Sequence, residues 1–140
     1  MTTDDLNLIL LASPMTAGLT RSLVTQRLLK WGLCHISDDV LLIVSELVVN
    51  ACEAAPNSEI KLHLSRGPAG LLTQVWDPSP FAPAAKPLTH LTFEAIDAAP
   101  TGTWDDGGGW GLPIVAALST DCGYRPTPPL GKWVWSHITC

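Results

Sequence analysis

Apolar and polar positions recur along this chain with two periods, and the switches between them divide it into elements. "LNLILLA" (6–12) is a short apolar run closed by Ser-Pro, which predicts a strand or a strand-like edge. Between Thr16 and Trp31, Leu19, Leu23, Leu28 and Trp31 fall near helical spacing, and Gly32 is placed to end the helix. A second helix is predicted from about Asp38 to Ala55: Ser37 or Asp38 can accept from the free amides of its first turn, and Pro56 closes it. "EIKLHLS" (59–65) alternates polar and apolar residues, "GPAG" turns the chain, and "LLTQVWD" (71–77) runs back, the pattern of a hairpin. Beyond it Pro78, Pro80, Pro83, Pro87 and Pro100 break the periodicity, so a long loop is predicted to about Thr103, with one turn of helix near Leu91 to Ile96. Leu112 to Ser119 returns to helical spacing, and "CGYRP" and "GKWVWSHI" follow, the latter a strand with Trp133 and Trp135 on one face. Strand, helix, helix, hairpin, lid, helix, hairpin predicts one domain over residues 1–140, an α/β (α+β) two-layer sandwich.

Composition narrows the function classes. A hydrophobic fraction of 46% with 15% charged residues describes a core-rich globular chain, and no apolar run approaches the ~20 residues that span a membrane. Asp4 and Asp5 precede the first apolar run where a signal peptide carries basic residues, so the expected location is cytoplasmic. Thirteen acids against eight scattered bases give a formal charge of −5, which disfavours nucleic acid as a partner. Cys34, Cys52, Cys122 and Cys140 show no paired spacing and read as reduced thiols, mostly packing as small hydrophobes.

"VLLIVSELVVNAC" (40–52) holds ten apolar residues, with Ser45, Glu46 and Asn50 as the exceptions. Glu46, Asn50 and Glu53 project from one helical face, flanked by Leu42 and Val49, so this stripe is not an ordinary solvated face. Burying a carboxylate without a partner costs several kcal/mol, so these groups need ion pairs and caps or a ligand. An amide oxygen suits magnesium, a hard cation, while a carboxylate one turn away can accept a proton.

"DDGGGWGLPIV" (105–115) packs Gly107, Gly108, Gly109 and Gly111 just before a helix start, with Pro113 in its first turn. Such a stretch exposes backbone N–H groups to an anion, although a hinge has the same composition and the spacing matches neither the Walker nor the dinucleotide pattern. Asp77 ends a strand where the lid begins; it can accept from an exocyclic amine such as that of adenine, or cap the turn "DPSP".

Taken in order, "SELVVNACEAA", "VWDPSP", "GGGWGLPIVAAL" and "GKWVWSHI" resemble the GHKL ATPase superfamily, and within it the small anti-sigma factor serine kinases, over about residues 15–138. The resemblance implies a GHKL/histidine-kinase-like sandwich with a mixed, mostly antiparallel sheet, helices on one face and an ATP lid over about 78–111. It implies Glu46 as catalytic base toward a partner's serine, Asn50 as Mg2+ ligand and Asp77 as the adenine-binding aspartate. Gly107, Gly109, Trp110, Gly111 and Leu112 would form the lid contacts with the nucleotide. The implied cofactors are ATP and Mg2+, the implied partners a sigma factor and/or an anti-anti-sigma factor, with homodimerisation common among such kinases. The chain departs from the pattern at "DPSPF", which lacks the usual glycines, at Glu53 where a base is frequent, at Trp110 where an arginine is frequent, and at Trp133, where a threonine is usual and a tryptophan would crowd or stack on the base. These departures keep open a second reading, a nucleotide-poor or catalytically degenerate module of the same fold that acts by occupying a partner.

Overall fold

The computed structural model describes residues 5–80 and 113–139. It contains β1 (Leu6–Leu11), α1 (Thr16–Trp31), a 3-10 turn (Cys34–Ile36), α2 (Ser37–Ala54), β2 (Glu59–Gly67), β3 (Gly70–Asp77), α3 (Pro113–Leu118), β4 (Asp121–Pro126) and β5 (Lys132–Ile138). The strands form one five-stranded sheet in the order β1-β2-β3-β5-β4. Every neighbouring pair is antiparallel, so among the described residues the sheet is not mixed.

Strand alternation decides which side chains meet the helices. Ile60, Leu62 and Leu64 of β2, Leu71 and Val75 of β3 and Val134 and Ile138 of β5 point into the core. There they meet Val24 and Leu28 of α1 and Val40, Ile43, Val44, Leu47 and Val48 of α2. Burying each such side chain contributes about 1.5–3 kcal/mol before entropy is charged against it. The opposite sheet face carries Lys61, His63, Gln74, Trp76, Trp133 and Trp135, with Lys61 Nζ 4.9 Å from the Trp76 ring centre. His63 bridges strands there: Nε2 lies 2.9 Å from Asp5 Oδ2 and Nδ1 lies 2.9 Å from Gln74 Nε2.

Gly32 ends α1 at φ 72°, the left-handed cap for which glycine has no steric cost, and its N–H reaches back to the carbonyl of Leu29 at 3.0 Å. The start of α2 differs from expectation. Ile36 occupies the N-cap position and no side chain caps the helix, because the 3-10 turn feeds directly into it. Ser37 and Asp38 thus lie within the first turn, where Asp38 and Asp39 favour the positive end of the helix dipole. No helix among the described residues is long and apolar enough to cross a membrane.

The thiols fall into three environments: Cys34 exposed, Cys52 half-buried and Cys122 buried, and none of them is in a disulfide. Cys34 therefore does not pack as a hydrophobe, and Cys140 lies outside the described residues. Burial first, and the charge of Asp121 second, push the Cys122 thiol up to about 11. Burial likewise raises Cys52. The expected result of maleimide labelling at pH 8, read by peptide mass mapping, is Cys34 first and Cys122 last. Between pH 8 and 10 the Cys122 rate should rise about tenfold per pH unit, because its thiolate fraction is still climbing there. Equal rates for the two thiols would contradict this placement.

Candidate functional site

α2 carries two of the candidate site residues, Glu46 and Asn50. At about 100° per residue, Asn50 lies about 40° around the helix from Glu46, toward the side of Ile43 and Leu47. The single stripe read from the sequence is consequently divided. Asn50 is drawn into the buried arc at 4% exposure, while Leu42 and Val49 are 45% and 41% exposed. Glu46 is half-buried between them, and Glu53 is exposed.

Asn50 makes no side-chain hydrogen bond among the described residues. A buried primary amide with neither its oxygen nor its nitrogen satisfied costs about 1–3 kcal/mol, and native proteins rarely retain one without a reason. Glu46 likewise has no ion pair or hydrogen bond among the described residues, so no neighbouring Lys or Arg neutralises it there. Glu46 and Asn50 remain available to something outside the described side chains. No three His, Cys, Asp or Glu side chains among the described residues could together hold a metal ion. A magnesium ion here would take one amide oxygen from the protein and its other ligands from phosphate and water, which is how this cation is commonly held.

Asp77 has the opposite character. It is fully buried, and Lys132 Nζ, itself buried, donates to Oδ1 at 2.9 Å and to Oδ2 at 3.0 Å. The Ser79 N–H donates to Oδ1 at 2.8 Å, so the carboxylate also caps the turn after β3. Burial alone would penalise this charge by several kcal/mol, and the ammonium directly opposite it in the β3–β5 ladder compensates it. Sequence reasoning missed Lys132. The signal was present in the alternation of "KWVWSHI", where Lys132 shares a face with Val134, Ser136 and Ile138. The same alternation turns Trp133 onto the outer sheet face, opposite to Asp77 and Lys132, with its ring centre 6.5 Å from that of His63.

A cleft of about 300 Å³ lies at the C-terminal end of α2, lined by Ala12, Ser13, Pro14, Ala17, Val49, Cys52, Glu53, Pro56 and Asn57. Its one charged group is a carboxylate, so it is ill suited to a polyphosphate. Gly107, Gly109, Trp110, Gly111 and Leu112 lie outside the described residues, as does most of the segment read as the lid; α3 opens at Pro113.

The fold has a solved counterpart in the RsbU and RsbW domains of a Mycobacterium tuberculosis protein, at a TM-score of 0.66 and 18% identity, covering 96% of this chain and 32% of that one. The chain thus spans about a third of the length of that structural neighbour. No curated protein sequence matches it. The family model of the histidine kinase-like ATPase domain matches residues 11–137, and the chain belongs to that family.

Proposed function

We propose that this chain is a regulatory Mg-ATP-binding protein of the anti-sigma factor kinase type, which phosphorylates or sequesters a protein partner. The observation that carries the reading is Asn50, a buried amide without a hydrogen-bond partner among the described residues, one turn from a Glu46 that has no ion pair among them, in a chain of an ATPase family. Asn50 and Glu46 fit the group that the family implies. The Asn50 side-chain oxygen would hold magnesium, which when bound supplies charge neutralisation for the phosphates. The Glu46 carboxylate would accept the proton of a partner's serine hydroxyl as that oxygen takes the γ-phosphoryl group. The glycines at 107, 109 and 111, with Trp110 and Leu112, would close on the phosphates. Partners of the sigma factor or anti-anti-sigma class, a cytoplasmic location and a homodimer complete the reading; the acidic composition argues against nucleic acid.

Glu46→Gln is expected to retain stabilisation by Mg-ATP while losing about 10²–10⁴-fold in serine phosphorylation of a partner, followed by transfer of labelled γ-phosphate. Transfer at the original rate would remove Glu46 as the base. A second reading, a binding module without turnover, draws on the Asp77–Lys132 pair, since a carboxylate already satisfied by the protein needs no base to bind. Absence of any Mg-ATP-induced stabilisation of the unmodified protein would favour that module over the kinase.

A further inference from the structure

The outward face of the sheet has a chemistry unlike that of a wetted sheet. Every helix among the described residues packs on the opposite side, that of Ile60, Leu62 and Val75. An antiparallel sheet covered on one side ordinarily alternates apolar-in and polar-out. Here the outward positions include Leu72, Trp76, Trp133 and Trp135, with Ile9 and Leu11 of β1 at 68% and 61% exposure. Two of the indoles lie over glycine backbone. A Cβ on Gly123 would stand 3.2 Å from the Trp135 ring, and one on Gly131 2.5 Å from that of Trp76. Trp76 Nε1 also donates to Thr127 Oγ1 at 3.0 Å, which holds its ring in place. Ordered by the sheet, the three tryptophans are nevertheless only half-buried. A contiguous apolar surface whose side chains are already fixed is the kind that docks at low entropic cost.

The pairing register sets where the charges fall on this face. Lys61, Trp76, Trp133 and Arg125 form one row across the sheet. Gln74 and Trp135 lie in the middle row, and Leu72, His137 and Asp121 in the third. Asp5, just before β1, belongs to that third row and reaches back to His63 at 2.9 Å. One end of the face is thus positive and the other negative, with tryptophan between. Acids match the bases there, so a polyanion is a poor occupant. A second copy turned by 180° about an axis across the strands is a good one. The middle row then meets itself, Trp135 on Trp135, and the first row meets the third. Arg125 of each copy lies over Asp121 of the other, and Lys61 a strand's width from Asp5. Glu59, beyond Lys61, falls on the Gly67 and Gly70 end of the other copy, which carries no acid. An axis along the strands would instead set Lys61 against Arg125 and Asp5 against Asp121, like on like.

The area suffices. Five strands about 4.8 Å apart, each about seven residues at about 3.4 Å, give a face of roughly 24 Å by 24 Å. Two copies would cover about 1,150 Å² together, close to the ~1,200 Å² at which stable specific interfaces begin. We propose that this face is a homodimer interface, two sheets packed face to face about a two-fold axis that crosses the strands at Gln74 and Trp135. The proposal builds on the homodimer of the reading above by giving it a surface, and nothing in it requires nucleotide.

Sedimentation velocity without nucleotide, from about 1 to 100 µM, tests this. The unmodified chain is expected to form a dimer with a Kd of about 10 µM or below. Arg125→Asp, at an exposed position, sets acid against acid twice per dimer and should weaken association about tenfold or more. Adding Asp121→Arg exchanges the two ends of each pair and should return the Kd to within about threefold of the original. A chain still monomeric at about 100 µM overturns the proposal, and so does assembly that keeps growing beyond two copies. A dimer that Arg125→Asp leaves unchanged or tightens also overturns it, because the copies then meet elsewhere or about the other axis. No recovery in the folded double variant overturns the pairing of Arg125 with Asp121, and with it the axis. Circular dichroism checks both folds. The unmodified chain supplies a readout of its own: diluting the dimer should red-shift the emission, since three of the six tryptophans leave the interface for water. Dissociation without that shift overturns the proposal. Mg-ATP titration decides the nucleotide reading separately, so either can fail while the other stands.

Discussion

Lys132→Met is expected to lower the unfolding free energy by about 3–5 kcal/mol, measured by urea denaturation near pH 7. The magnitude follows from what the substitution leaves behind. Asp77 is fully buried, and its remaining described partner would be the single N–H of Ser79. An ionised carboxylate in that position keeps its desolvation penalty and loses the ammonium that offsets it. Domains of this size are stable by only about 5–15 kcal/mol, so this one side chain carries a large share of the total. Methionine fills similar space, which separates the charge effect from a packing effect. Adding Asp77→Leu should recover most of the loss, because replacing both members of a buried pair by apolar groups is often close to neutral. A loss below about 1 kcal/mol in the single variant would mean that the pair is not buried as described.

Asn50→Ala should act in the other direction on the free protein. Removing an amide that has no hydrogen-bond partner among the described residues abolishes its desolvation penalty, and alanine gains helix propensity over asparagine by about half a kcal/mol. Against this stands the loss of a few packing contacts, so the expected net change is a stabilisation of about 1 kcal/mol. An asparagine hydrogen-bonded within the core would behave oppositely and cost about 1–3 kcal/mol on removal. Gaining stability while losing ligand is the signature of a residue retained for function. A destabilisation above about 1 kcal/mol by thermal or urea unfolding would contradict this account of Asn50 as an amide whose hydrogen bonds the described residues leave unmade.

The elements were legible because their periods are local. α1 begins and ends at Thr16 and Trp31 as read, since Gly32 marks the stop, but the leucine spacing only partly marks its face: Leu28 and Trp31 are buried beside Thr16, Thr20 and Val24, whereas Leu19 is exposed. The hairpin of β2 and β3 was equally plain, because alternation and "GPAG" agree; only its turn is tighter than drawn, with Pro68 and Ala69 between the strands. The start of α2 was misplaced in its chemistry because a 3-10 turn has no periodic signature, and it delivers the chain into the helix without a side-chain cap. At the site, helical spacing found Glu46 and Asn50 but could not separate them: a difference of about 40° in azimuth decides between half-buried and buried, and the neighbouring layer sets where that border falls. Asp77 was found as a strand-end carboxylate, yet its partner lies across the sheet, 55 residues away in the chain, a distance that pattern reading within one segment does not cross. The register that aligns Lys132 with Asp77 is a property of the ladder between β3 and β5.

The central claim is that Asn50 and Glu46 serve a magnesium nucleotide. Isothermal titration of the unmodified chain and of Asn50→Ala with Mg-ATP tests it most directly. The expected result is saturable one-site binding by the unmodified chain and a loss of at least about 100-fold in affinity in the variant, with both proteins folded and the variant no less stable. Equal affinity in the two proteins would contradict the assignment of Asn50, and no binding by either would contradict the nucleotide site itself.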